Sequence, residues 1–201
     1  MTSQSNIARS PISTQITVQQ DKVFPVNQTG SFWVDLSLQT KTGLRGKKAS
    51  EVIQQAGFIL PSSPNQVTDS EQGSVLRLSE NEYWLLANFE EELPDLMSND
   101  ECYSLFCQDS HAWFAFKSPF QADVMAKVCG VDLRESAFPL GTIAQTVVAG
   151  GNAIIAHHTI GQKPLFSILC DRSVADYIWT VMLDAMDEFN VKPASSASLT
   201  L

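Results

Sequence analysis

The sequence predicts an α+β fold made of two similar βαββαβ-like halves packed together. Three observations carry that expectation. Leu165 to Phe189 reads as a short buried strand running into the longest amphipathic helix of the chain. Thr142 to Ala149 and Ala153 to His158 form the clearest hairpin signal, turning at Gly150-Gly151-Asn152. There is also an internal echo: Lys48-Ala49 through Gly57 and Gln121-Ala122 through Gly130 each read as a helix with a terminal glycine. Each is preceded by a strand and followed by a strand pair, so the halves fall at about 30–108 and 111–190. An arm over 1–29, rich in Ser, Thr and Gln and expected to be disordered or to wrap a partner, precedes them, and a flexible Ser-rich tail over 191–201 follows.

Taken in order, Gly30 to Leu38 reads as the first strand, with Phe32, Val34 and Leu36 alternating against Ser31, Trp33 and Asp35. Gly46 to Ala56 is a helix closed by Gly57, and Pro61-Ser62-Ser63-Pro64-Asn65 a loop. Ser74 to Leu78 and Tyr83 to Ala87 are strands joined by Ser79-Glu80-Asn81-Glu82. Phe89 to Met97 reads as a short helix interrupted near Pro94. Cys102 to Cys107 and Ala112 to Lys117 are strands. Ser118 offers an N-cap to a helix over Phe120 to Cys129, and Val131 to Gly141 is a turn-rich connection. After the strand Leu165 to Cys170, Asp171 or Ser173 offers the next cap, and Ser173 to Asp176 fits a capping box. Val174, Ile178, Val181 or Met182, Ala185 and Phe189 then recur at helical spacing, while Tyr177, Trp179 and Leu183 widen the apolar surface.

Bulk properties narrow the functional classes. The chain has 201 residues, 44% hydrophobic, and a formal net charge of −9. An acidic chain is poorly suited to nucleic acid, whose phosphates call for a basic face. No apolar run reaches the roughly 20 residues that cross a bilayer. The N-terminus lacks the apolar core of a signal peptide, so the expected location is the cytoplasm.

Catalytic and metal motifs do not emerge. Cys102, Cys107 and His111 are the only local Cys/His cluster, and their odd spacing on a strand points the two thiols to opposite faces. His157 and His158 likewise face opposite ways, one expected buried and hydrogen-bonded, the other exposed. Asp109-Ser110-His111 has the residue types of a hydrolase triad, but triads are assembled from distant segments. The nucleotide-binding glycine motifs are absent. The expected sets of catalytic, cofactor-binding and metal residues are therefore empty. Trp33, Trp84, Trp113 and Trp179 are candidates for the core or for a protein interface, where aromatics are enriched.

Asp132-Leu133, Ala137-Phe138-Pro139-Leu140-Gly141 and Ala144-Gln145-Thr146 carry a family resemblance. It strengthens at Asp171-Arg172-Ser173-Val174-Ala175-Asp176-Tyr177-Ile178-Trp179, then Leu183-Asp184-Ala185 and Glu188-Phe189. These stretches resemble the γ subunit of heterotetrameric sarcosine oxidase, over about residues 30 to 190 and most densely after Asp109. The resemblance implies a fold similar to the folate-binding domain of aminomethyltransferase. It implies a complex that oxidatively demethylates sarcosine to glycine with oxygen, passes the one-carbon unit to tetrahydrofolate and releases hydrogen peroxide. FAD, FMN, NAD, zinc and tetrahydrofolate would belong to the partner α, β and δ subunits, and none to this chain, which would be non-catalytic. Phe138, Pro139, Tyr177 and Trp179 are the candidate partner contacts. At Asp109-Ser110-His111-Ala112-Trp113 the match is partial, which leaves open a γ-like subunit of a complex acting on another N-methyl amine. A stand-alone folate-binding protein of the aminomethyltransferase class is the further alternative, although the Lys-Gly-Cys-x-x-Gly-Gln motif of related iron–sulphur assembly factors is missing.

Overall fold

The computed structural model describes residues 8–15, 30–88, 91–94, 96 and 101–194. Ten strands form one sheet: β1 (Phe32–Asp35), β2 (Lys41–Gly46), β3 (Gln66–Asp69), β4 (Gly73–Ser79), β5 (Glu82–Ala87), β6 (Cys102–Leu105), β7 (His111–Lys117), β8 (Thr142–Val148), β9 (Gly151–Ile160) and β10 (Lys163–Asp171). Helices α1 (Ala49–Gln55), α2 (Cys107–Ser110), α3 (Gln121–Ala126) and α4 (Ala175–Asp187) accompany them. The strand order is β1-β7-β10-β9-β8-β3-β4-β5-β2-β6, and every ladder between neighbours is antiparallel.

That order contains the repeat the sequence hints at. From the β3/β8 junction outward, one half runs β3-β4-β5-β2 with α1 after β2. The other runs β8-β9-β10-β7 with α3 after β7. The outermost strands are exchanged: β1 precedes β2 in the chain but pairs with β7, and β6 precedes β7 but pairs with β2. One face of the sheet supplies a core shared by both halves, with Leu76, Trp84 and Leu86 meeting Trp113, Ala156 and Leu169. The other face is covered twice. Helices α3 and α4 bury Val124, Met125, Ile178, Trp179 and Met182 against Phe114, Phe166 and Ile168, and α1 buries Ala49 and Ile53 against Leu44, Val75 and Leu85. With both faces packed, the strands read as continuous apolar runs, and Trp33, expected on the polar side of β1, is fully buried.

Local chemistry explains the elements and their shifts from expectation. Helix α1 ends in a Schellman motif, Phe58 N–H to Ile53 O and Gly57 N–H to Gln54 O. The β8–β9 hairpin turns on Ala149-Gly150, both at positive φ, one residue earlier than expected, as a two-residue turn with Val148 opposite Gly151 requires. The capping box at Ser173 does not form. Asp171 instead accepts the Ser173 N–H and caps a 3₁₀ turn (Arg172–Val174) that feeds α4. Cys107 leaves the expected strand and starts α2. The helix expected over Phe89 to Met97 lies partly outside the described residues, and 91–94 carry no helix. Strands β2 and β3 were not expected at all. Of the arm, residues 8–15 are described and lie on the fold: Ile12 is fully buried in the core cluster that also holds Trp33 and Trp179, and Gln15 Nε2 donates to Asp176 Oδ1 at 2.7 Å.

Candidate functional site

The chemistry of the shared core is concentrated in one buried polar cluster. His158 on β9 is 0% exposed. Its Nε2 lies 2.6 Å from Ser167 Oγ on β10, and its Nδ1 lies 2.8 Å from Ser74 Oγ on β4 and 3.4 Å from Asp69 Oδ1 on β3. Trp113 Nε1 donates to Ser167 Oγ at 2.8 Å, and Ser74 Oγ donates to Asp69 Oδ1 at 2.8 Å. The indole can only donate, so Ser167 Oγ accepts from Trp113 and keeps its own proton free for a further bond. Ser74 spends its proton on Asp69, so it accepts from Nδ1. Every member of the cluster has a hydrogen-bond partner. Asp69 Oδ2 also accepts from Thr159 N (2.9 Å) and Thr159 Oγ1 (2.7 Å). Burial would raise the Asp69 carboxyl, but the bonds from His158 and Thr159 outweigh it and hold it well below the usual carboxylate range.

Serine, imidazole and carboxylate in this order are the residue types of a hydrolytic triad, drawn from β10, β9 and β3. The site works differently. Ser167 and His158 are both sealed from solvent, and the Ser167 oxygen is already occupied by the Trp113 indole. The cluster is a polar clamp whose members come from both halves. Sequence reading placed the triad composition at Asp109-Ser110-His111, which the structure spreads over α2 and the start of β7. There Ser110 Oγ bonds His111 Nδ1 at 2.8 Å.

An open cleft of about 420 Å³ lies at one end of the shared core, lined by His111, Gln145, Val147, Asn152, Ile154 and Leu169 among others. The His111 ring abuts Trp84 edge-on at 4.6 Å, so residues of both halves meet there. Burial holds the His111 imidazole below its ordinary value. Among the described residues no group of three or more His, Cys, Asp or Glu could hold a metal ion. Cys102 and Cys107 are buried in different cores, and Cys129 and Cys170 in the third. Burial pushes Cys107 and Cys170 up to about 12, which keeps both thiols protonated.

The expected partner contacts divide. Trp179 is 1% exposed, stacked on Trp33 at 5.1 Å and against Phe114. Phe138 is also inside, edge-on to Phe166, with its carbonyl bonded to His157 Nδ1 at 3.0 Å. Their side chains therefore belong to this chain's own core. Tyr177 is 56% exposed on α4, and Pro139 is exposed beside the exposed Leu140. His157 and His158 are both buried, although one of the pair was expected to be exposed. Sequence reading did not single out Phe106, 83% exposed, because it sits at the end of an apolar run that looked like a strand interior.

No protein-family model matches the chain, and no curated protein matches it by sequence. Solved structures do. A chain of the heterotetrameric sarcosine oxidase from Corynebacterium sp. U-96, in complex with pyrrole 2-carboxylate, superposes with a TM-score of 0.74 at 20% identity, over 93% of this chain and 98% of that one. The glycine cleavage system aminomethyltransferase T from Bartonella henselae superposes with a TM-score of 0.62 at 17% identity, over 85% of this chain and 50% of that one. The chain has the α+β fold these proteins share and spans half the length of the aminomethyltransferase.

Proposed function

We propose that this chain is the γ-type subunit of a heterotetrameric sarcosine-oxidase-type flavoenzyme, serving assembly rather than catalysis. The observation that carries the reading is the nearly end-to-end match of its fold with one chain of such an oxidase. The cluster with the makings of a nucleophile and base is engaged in internal hydrogen bonds, which suits a scaffold. In this reading the α, β and δ subunits hold FAD, FMN, NAD, zinc and tetrahydrofolate, and the complex works in the cytoplasm on sarcosine. A different N-methyl amine would change the partners' pocket, not this chain. Tyr177 and Pro139 present the surface for partner contact, Tyr177 as an exposed aromatic of the kind that anchors interfaces.

The test is co-expression with the neighbouring genes and purification through a tag on this chain. A yellow, flavin-bearing complex that turns over sarcosine supports the reading, and Tyr177→Ala should weaken its retention while leaving the isolated chain's melting temperature unchanged. Recovery of the tagged chain alone would overturn it. The likeness to aminomethyltransferase T favours one second reading, a folate-binding protein that acts alone. Titration of the purified chain with tetrahydrofolate separates the two, since binding at micromolar concentration belongs only to the second.

A further inference from the structure

The junction between the halves is unlike the ladders on either side of it. Strands β3 and β8 share a single residue pair, Gln66 opposite Thr142. Main-chain bonds there are confined to Val67 N–H to Gly141 O (2.9 Å) and Ile143 N–H to Asn65 O (2.8 Å). Away from that point the stitching passes to side chains. On one side Gln145 Nε2 donates to Asn65 Oδ1 and to Leu78 O, at 2.8 and 2.7 Å. On the other, Asp69 reaches across from the end of β3 to the backbone and hydroxyl of Thr159 and to the His158 imidazole. The Asp69 side chain is 29% exposed, whereas His158 directly behind it is completely sealed.

We propose that Asp69 is the latch of a solvent gate in this seam. The main-chain bonds at Val67 and Ile143 act as the hinge. Release of Asp69 from Thr159 and His158 lets β3 swing from β9 and admits solvent to the polar interior of His158, Ser167 and Trp113. One carboxylate closes three contacts with the other half and also holds the Ser74 hydroxyl that meets His158 Nδ1, so its loss weakens the seam at a point where no main-chain bond joins the halves. The gate does not depend on the chain's being an oxidase subunit, because it follows from the junction alone.

Hydrogen exchange in the full chain tests it, read at the Trp113 indole N–H, which reports solvent entry to the interior. The hinge amides of Val67 and Ile143 and the indole N–H groups of Trp33 and Trp179 are the controls. In Asp69→Ala the Trp113 indole should exchange about tenfold faster or more, as expected for removing charge-assisted bonds that close a local opening. The controls should keep their wild-type rates. Thr159→Val, which keeps the main-chain bond to Asp69, should give a smaller increase at the same probe and decides the matter if Asp69→Ala fails to fold. An unchanged Trp113 indole rate would overturn the gate. So would acceleration of Trp113 and the controls together, which would mark general loosening.

Discussion

Lys41 is a buried cation, and its replacement by methionine should stabilise the protein at neutral pH and lose that advantage in alkali. The residue is 2% exposed, and its Nζ donates to Ser37 O at 2.8 Å. Burial brings its pKa from 10.5 down to about 8, against the opposing pull of Asp35. At about 1.4 kcal/mol per pH unit, that depression is worth about 3 kcal/mol against the folded state. Below pH 8 both folded and unfolded chains hold the proton, and the cost is carried in full. Between pH 8 and about 10.4 the unfolded chain keeps a proton the folded chain has released, so wild-type stability climbs with pH. Above that range the cost is gone. Methionine keeps the stem and gives up one hydrogen bond, about 1 kcal/mol. The Ser37 carbonyl is not orphaned, because Gln108 Nε2 also donates to it at 3.3 Å. Lys41→Met should therefore gain about 2 kcal/mol at pH 7. Urea unfolding followed by tryptophan fluorescence, run for both proteins from pH 6 to 10.5, gives the difference directly. A difference that does not shrink between pH 8 and 10.5 refutes the reasoning, since it would mean the charge is not what burial penalises.

Three other outcomes follow from the same geometry. Ile12→Ala should cost about 2 to 3 kcal/mol in urea unfolding, because the side chain is fully buried in the core under α3 and α4. A cost near zero would mean that residues 8–15 do not dock in solution. Asp69 is held below the ordinary carboxylate range, so its contribution is present above about pH 4 and lost as pH falls through its lowered folded value. The stability gap between wild type and Asp69→Asn should accordingly narrow from pH 5 toward pH 2, and a constant gap would contradict the assignment. Gly73→Ala would set a Cβ 2.2 Å from Leu86 O at a φ of +156°, so a loss of at least about 3 kcal/mol is expected in thermal melts.

The parts of the fold that could be read from sequence are those where side-chain pattern and backbone demand coincide. The β8–β9 hairpin, β4, β5, β10 and α4 all carry long apolar runs or helical spacing, and all are present. Strand β2 was hidden because Lys41-Thr42-Gly43-Leu44-Arg45-Gly46 has one apolar residue and two glycines. Gly43 is there for clearance, since a Cβ on it would lie 2.9 Å from Cys107 Sγ. Strand β3 was hidden because Gln66-Val67-Thr68-Asp69 is short and polar, as a strand at a seam can be. The clamp was illegible for a different reason. Asp69, Ser74, Trp113, His158 and Ser167 lie up to 98 positions apart in sequence (69 to 167), and only the sheet order brings them together. Trp179 reads as either core or partner contact, because a helix apolar on more than one stripe suggests a partner. The extra stripe is met instead by Trp33 and Phe114 of the same chain.

The exchange of outermost strands fixes the timetable of folding. Phe32 to Asp35 are made about 80 residues before their ladder partners, Phe114 to Lys117. The N-terminal half must wait with an orphan strand until the C-terminal half has begun, and Cys102 to Leu105 must reach back to an already synthesised β2. Cut out by itself, the N-terminal half would keep β6 but carry β1 as a spare, the C-terminal half would lack β1 beside β7, and the spare would be free to fill that gap in a neighbouring molecule.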